Sequence, residues 1–180
     1  MVQRGWVSFS YLVRLVAHCE GYQHLRFGQY VVSPGMTAVG LLHNVSHSSG
    51  LVEHHITFIE GARFASFLEV LSKDSNISHT LSGLNDHQIM KKLALPNSVP
   101  EGLFFPDTYQ FSWGVSDTEV LRIAYQRMNT ILRKEWQHRE AALPYTSPYQ
   151  ALIVASMIES ETAKPEERAM VSSVILNRLQ

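Results

Sequence analysis

Cysteine is almost absent from this sequence, which contains Cys19 as its single thiol among 180 residues. One thiol cannot form a disulfide within the chain and cannot build a cysteine zinc cage, so both kinds of cross-link are excluded. Long apolar runs are lacking too. The best candidate for a membrane span, residues 6–19, is too short, carries Arg14 and His18, and has no small-residue cleavage site. We therefore expect the chain by itself to be soluble.

An excess of either charge is also missing, since the chain has 15 basic and 16 acidic residues. Without a basic stripe it does not resemble a nucleic-acid-binding protein, and it has no acidic tail. No internal repeat or low-complexity segment is present. An apolar fraction of 45% over 180 residues is enough for the core of one domain, or of two small ones.

Histidine is abundant, with nine residues, and raises the question of a metal site. Only His43 and His47 have helical i, i+4 spacing, and no glutamate follows His43 as the HExxH pattern requires. His54 and His55 are neighbours in an expected strand and therefore point to opposite faces. We predict solvated surface histidines and no metal site.

The hydrophobic periodicity predicts an α+β chain, with short strands toward the front and helices toward the back. The expected strands are residues 30–32 and 54–59, the second with Ile56, Phe58 and Ile59 facing inward. Helices are expected near residues 6–20, 37–42, 64–71, 86–93, 116–132 and 148–162, and from Pro165 onward. Thr37 is an expected N-cap, Ser116 and Glu119 have the spacing of a capping box, and Ser147 precedes a proline at a first helical position.

One glutamate is distinctive because it ends an apolar helix. Glu161 shares its expected helix face with Val154, Met157 and Ile158, at i−7, i−4 and i−3. Burial beside these side chains and the negative end of the helix dipole would both favour the protonated carboxyl. A protonated carboxyl in a cleft is what general acid catalysis requires. Glu159, on a smaller and more polar face, suits a solvated or salt-bridged role better.

This helix alone does not decide between a catalytic and a structural role. Glutamates at helix ends are commonly solvated surface groups. Arg168 either pairs with a glutamate and orients it or belongs to the surface charge that it forms with Glu166 and Glu167.

A second dense segment, residues 101–109, combines aromatic, turn-forming and polar side chains. Aromatic faces with polar edges suit the apolar face and hydroxyl rim of a sugar ring. Phe104 and Phe105 suit the core at least as well, and Asp107 suits a turn. Asp107 and Tyr109 remain candidate cleft residues.

Together, these segments resemble the endolytic murein transglycosylases, the MltG or YceG-like family. The similarity rests on Ile59-Glu60-Gly61, residues 101–109 (EGLFFPDTY), Leu143-Pro144-Tyr145, residues 155–162 (ASMIESET), Glu167-Arg168 and residues 174–179 (VILNRL). Their order and approximate spacing are similar to the family's, and Glu-x-Glu-Thr and Pro-Asp-Thr-Tyr are the most discriminating stretches. Weaker similarity extends forward through residues 30–42.

The resemblance implies a bacterial cell-wall enzyme that cleaves the MurNAc–GlcNAc β-1,4 bond within glycan strands and leaves a 1,6-anhydro-MurNAc end. It assigns the catalytic role to Glu161, as acid and then as base, and it implies that no metal or organic cofactor is needed. The other candidate residues are expected to bind substrate: Glu101, Asp107, Tyr109, Glu159, Arg168 and Asn177. The expected partners are peptidoglycan glycan strands and cell-wall synthases.

The resemblance also implies a domain plan and a location. Residues 1–58 are expected to form the latter part of a small LysM-like module, and residues 59–180 a mostly helical, incomplete catalytic domain. Family members usually face the periplasm, tethered to the inner membrane by an N-terminal helix that this chain lacks. We therefore expect a fragment that is truncated at both ends.

Two other interpretations stay open. In the first, the chain binds peptidoglycan or a wall-synthesis partner without cutting it, as a degenerate fragment does. In the second, it is an α+β domain with no connection to the cell wall, and it does not associate with glycan.

Overall fold

The computed structural model describes residues 28–95, 99–140 and 143–179. The expected helix near residues 6–20 lies outside these ranges. The described helices are α1 (Ala38–His47), α2 (Phe64–Lys73), α3 (Asp86–Lys92), α4 (Asp117–Gln137), α5 (Pro148–Glu161) and α6 (Arg168–Leu179), with a 3-10 turn at Pro165–Glu167. The strands β1 (Glu53–Thr57) and β2 (Thr108–Ser112) pair in a two-stranded sheet. This mixture of helix and small sheet confirms the predicted α+β class.

Backbone contacts divide the chain into two compact units. The first contains the described residues up to His55 together with Gln110–Val115, and the second contains Ile56–Tyr109 and the described residues from Ser116 on. Every candidate site residue belongs to the second unit. The LysM-like character of the N-terminal part and the division after residue 58 stay predictions.

The helix starts follow the predicted caps in part. The Thr37 hydroxyl accepts a hydrogen bond from the Gly40 amide at 3.1 Å, which confirms the N-cap of α1. Ser116 caps α4 by accepting from the Glu119 amide at 3.2 Å. The predicted capping box is wrong, however, because the Glu119 carboxylate pairs with Arg122 at 2.9 Å rather than returning to the cap.

Two strand predictions also need correction. Residues 30–32 do not form a strand, and Tyr30 makes an isolated antiparallel bridge with Leu51. Ile59 does not face inward but is 66% exposed, whereas Phe58 beside it is 1% exposed. Successive side chains of extended backbone point to opposite faces, so Phe58 and Ile59 cannot both face the core.

The sheet fixes the position of the C-terminal end of the segment of residues 101–109. The Phe58 amide donates to the Asp107 carbonyl at 3.0 Å, and the hydroxyl oxygens of Thr57 and Thr108 lie 2.8 Å apart. The strands are therefore antiparallel, since the partner's number falls as β1 advances. Tyr109 alternates with exposed neighbours and is buried.

The core of the second unit is built from the apolar stripes of α2, α3 and α4. Stacked aromatic rings organise it, with the centroids of Phe58 and Phe67 4.3 Å apart and those of Phe64 and Phe104 5.1 Å apart. Phe104 is 4% exposed, so it is a core residue. The other buried residues from these helices are Leu71, Ile89, Met90, Val120, Leu121 and Ala124.

A buried carboxylate at the start of α4 connects that helix to the preceding chain. Asp117 is 3% exposed, and its Oδ2 accepts from the amides of Thr80 and Leu81 at 2.8 and 2.9 Å. Its Oδ1 accepts from the Thr80 hydroxyl at 2.5 Å and from the Thr118 amide at 2.8 Å. Donors surround the charge at the positive end of a helix, which compensates for its burial.

Asp117→Ala should therefore lower the free energy of unfolding by about 3 kcal/mol, because buried donors at residues 80 and 81 lose their acceptor. Urea denaturation of the purified chain measures this change. The matched control is Glu119→Ala in the same helical turn, which removes an exposed ion pair and should cost no more than about 1 kcal/mol. Equal losses from the two variants would contradict a structural role for Asp117.

Candidate active site

Helix α5 carries Glu161 at its last position. The helix starts as predicted, with Pro148 in its first turn and the Ser147 hydroxyl accepting from the Gln150 amide at 3.3 Å. It ends because Thr162 adopts an extended conformation, with φ −149° and ψ 131°. Glu161 therefore lies at the junction between a regular helix and a turn.

The expected shielding of Glu161 is wrong, since this residue is exposed. Of its expected face partners, Val154 is 7% exposed, but Met157 is 46% exposed. Helix α5 packs against α4 and α6, and Val154 is its one fully buried residue. The helix is apolar nearly all round, so apolar neighbours in sequence did not identify its buried face.

The two alternatives for Arg168 are decided in favour of pairing. Its Nη2 lies 2.9 Å from Oε2 of Glu159, and the two side chains are 45% and 47% exposed. This agrees with the salt-bridged role expected for Glu159. An ion pair this exposed adds little to stability.

A second set of contacts lies on the other side of Glu161 in the chain. Thr162 is 8% exposed, and its hydroxyl donates to Oε2 of Glu167 at 2.9 Å and accepts from the Lys164 amide at 3.1 Å. The Lys164 ammonium lies 3.0 Å from Oε1 of Glu167. Sequence reasoning missed this cluster, because Thr162 gives no periodicity signal at the end of a helix.

These contacts separate the glutamates of this region into two kinds. Glu159 and Glu167 are both held by a cation or a hydroxyl. Within the part of the chain that the structure describes, the side chains of Glu161 and Glu166 form no hydrogen bond or ion pair. The Glu161 carboxylate is thus exposed and has no partner among the described residues. Glu159 and Thr162, on either side of it in the chain, are both held by partners.

The carboxylate of Glu101 is used by the fold. Its Oε2 accepts from the Phe64 amide at 3.1 Å, at the start of α2. Arg63, the N-cap residue of that helix, provides no side-chain cap, so Glu101 supplies the missing acceptor from a distant segment.

Asp107 and Tyr109 are likewise engaged by their surroundings. Asp107 forms an ion pair with Arg127 of α4, and the Arg127 guanidinium lies 5.6 Å from the centroid of the Phe105 ring. The Tyr109 hydroxyl donates to the Phe105 carbonyl at 2.6 Å. Burial raises the pKa of Tyr109 to about 12, with Arg127 opposing and Asp107 adding to the shift. Sequence reasoning missed Arg127, which is remote in sequence from its partner.

The structure therefore brings part of the predicted site together. Glu159 and Arg168 pair near the C-terminal end of α5, the helix that ends at Glu161. The contacts recorded for Glu101, Asp107 and Tyr109 are with α2, α4 and their own segment, and none of them joins Glu161. Asn177 is exposed on α6.

Comparison with known proteins now gives the family. A family model described as the YceG-like family matches residues 1–180. The chain belongs to the YceG-like family. An endolytic murein transglycosylase of Bacillus subtilis (strain 168) is 23% identical over 190 residues, which cover 96% of this chain and 51% of that protein. This YceG-like chain thus spans about half the length of the curated relative it matches.

Among solved structures, a yceG-like protein from Listeria monocytogenes is 16% identical to this chain, with a TM-score of 0.45. The match covers 93% of this YceG-like chain and 60% of that one. The family resemblance seen in the motifs is confirmed by the family match.

Two cavities lie in the second unit of this YceG-like chain. One of about 620 Å³ is lined by Val99, Gly102, Leu103, Tyr125, Met128, Asn129, Leu132, Ser147, Pro148, Tyr149 and Leu152. One of about 330 Å³ is lined by Pro144, Tyr145, Gln150, Ile153, Val154, Met157, Ile175, Arg178 and Leu179. Neither of these two linings includes a predicted site residue.

Among the described residues, no group of three or more His, Cys, Asp or Glu side chains is arranged to hold a metal ion. His18 and His24 lie outside the described ranges. In those same ranges, no helix has both the length and the apolar character needed to cross a bilayer.

The burial of the Tyr109 phenol predicts how the free energy of unfolding depends on pH. Its pKa of about 12 exceeds the ordinary value of 10.0, so its stabilising contribution is full below pH 10. The contribution is lost as pH rises from about 10 to about 12, because the unfolded phenol ionises first. In Tyr109→Phe, the free energy of unfolding should therefore fall less steeply over this window.

Urea denaturation at several alkaline pH values measures the slope. Tyr149→Phe is the control, because Tyr149 is 43% exposed and should leave the wild-type slope unchanged. Identical slopes for Tyr109→Phe and wild type would show that the phenol does not titrate as its burial requires.

Proposed function

We propose that this chain carries the general acid of a murein lytic transglycosylase, and that the acid is Glu161. The observation that carries the proposal is the uncommitted, accessible carboxylate of Glu161 between the anchored Glu159 and Thr162. Membership of the YceG-like family and similarity to a protein named endolytic murein transglycosylase support the choice of reaction. The proposed substrate is the glycan strand of peptidoglycan.

In the proposed reaction, one carboxyl group acts twice on the MurNAc–GlcNAc β-1,4 bond. Glu161 donates its proton to the glycosidic oxygen as the bond from that oxygen to C1 of MurNAc breaks. The 6-hydroxyl of the same MurNAc bonds to C1, and its proton returns to Glu161. The product is a 1,6-anhydro end, and no water is consumed. One carboxyl suffices because the sugar supplies the nucleophile, unlike the usual pair of carboxylates in glycosidases.

The exposure of Glu161 places a condition on this mechanism. General acid catalysis requires the protonated carboxyl, and removing water from a carboxyl favours that form. We propose that the bound glycan strand itself covers the end of α5 and excludes that water. The Glu159–Arg168 ion pair lies at the same end of α5 and is about half exposed, and its polar groups are proposed to bind sugar hydroxyls.

The other candidate residues divide by their contacts. Asn177 is exposed and keeps its proposed substrate-binding role. Glu101, Asp107 and Tyr109 are proposed to act indirectly, by holding the segment of residues 101–109 in shape.

Location and partners follow from the same proposal. A peptidoglycan strand is reached from the periplasmic side of the bacterial inner membrane, and we propose that the whole protein acts there. Cell-wall synthases, which make this substrate, are the proposed protein partners.

Glu161→Gln keeps the side-chain shape but removes the transferable proton, so release of anhydro-muropeptides from purified peptidoglycan should fall at least about 100-fold. Mass spectrometry of the products measures this, because an anhydro end is one water lighter than a hydrolysed end. Glu166→Gln is the matched control, since Glu166 is also exposed and unpaired among the described residues. Release by Glu161→Gln at the rate of Glu166→Gln would refute the assigned role.

A second candidate function is binding of peptidoglycan without cleavage. The exposure of Glu161 favours it, because an exposed carboxylate can accept hydrogen bonds from sugar hydroxyls without the desolvation that the catalytic role needs. Sedimentation with insoluble peptidoglycan, run beside the product assay, separates the two functions. Binding by the wild-type chain without anhydro ends would support the non-catalytic function.

A further inference from the structure

Thr162 directly follows Glu161, and its buried hydroxyl both donates and accepts a hydrogen bond. We propose that Thr162 and Glu167 form a brace that positions Glu161 for proton transfer. This inference rests on the proposed function, because it gives Glu161 the reacting carboxyl. Thr162 and Glu167 are positioning residues, since neither is proposed to contact the substrate.

The contacts of the brace form a closed ring. The Thr162 hydroxyl donates to Oε2 of Glu167 at 2.9 Å, Oε1 of Glu167 lies 3.0 Å from the Lys164 ammonium, and the Lys164 amide donates back to Thr162 at 3.1 Å. Thr162 uses its hydroxyl as both donor and acceptor, as a buried hydroxyl should. The first residue after Glu161 is thereby fixed to the turn that leads into α6.

A second contact connects the last turn of α5 to the start of α6. Glu159 pairs with Arg168, which directly follows Glu167. Glu159 precedes Glu161 by two positions and Thr162 directly follows it, so the two sets of contacts lie on either side of Glu161 in the chain.

Such a brace matters for rate more than for affinity. Proton donation requires the acid within hydrogen-bond reach of the glycosidic oxygen, and small misplacements reduce the rate steeply. Glu161 is exposed and has no partner of its own among the described residues, so its position depends on the backbone at residues 161 and 162. Loosening that backbone should lower kcat and leave KM nearly unchanged.

Thr162→Val, which keeps the shape and removes the hydroxyl, tests the brace in the full chain. Amide hydrogen exchange at Lys164 should accelerate about five- to tenfold, because its acceptor is gone. The kcat for anhydro-muropeptide release should fall about tenfold, with KM within twofold. Thr162→Ser restores the hydroxyl and should return both quantities to near wild type, which a general loss of packing would not do.

The outcomes separate the brace from the proposed function. Faster exchange with unchanged kcat in Thr162→Val, where Glu161→Gln is inactive, would overturn the positioning role and leave the function standing. Unchanged Lys164 exchange in Thr162→Val would overturn the brace itself. Wild-type activity in Glu161→Gln would overturn the function, and the exchange data would still decide whether the brace exists.

Discussion

One buried carboxylate, that of Asp117, fixes the start of α4, the helix against which α5 packs. Its hydrogen bonds hold residues 80 and 81 to the first turn of α4. Helix α4 then provides two further supports, since its Arg127 pairs with Asp107 and its side packs against α5. A series of contacts thus connects the buried Asp117 carboxylate, through α4, to α5 and its last residue, Glu161.

The acidic residues of this unit differ mainly in whether a partner holds them. Glu101 completes the start of α2, Asp107 pairs with Arg127, and Glu159 pairs with Arg168. The Glu161 carboxylate has no such partner among the described residues, so its oxygens remain available to a ligand.

Local features of the structure were predictable, and features that depend on distant partners were not. The caps at Thr37, Ser116 and Ser147 follow from residue type and spacing within one turn, and all three form. The partners of Glu101 and Asp107 lie on other elements, 37 and 20 residues away, and no periodicity indicates them. The sequence therefore predicts the candidate residues, but it does not predict the contacts from which their roles are inferred.

The burial of Glu161 was mispredicted for a reason that also bears on its proposed work. The buried side of a helix can be predicted from the sequence when the opposite side is polar, but α5 is apolar nearly all round. The proposed reaction requires a shielded carboxyl, and an open-ended cleft can shield an acid while a long strand passes through it. Glu161 is exposed among the described residues, so under the proposed function the bound strand has to provide the desolvation. An exposed side chain with no partner among the described residues is positioned through its own backbone. The buried hydroxyl of Thr162 and the carboxylate of Glu167 lie where such support is needed.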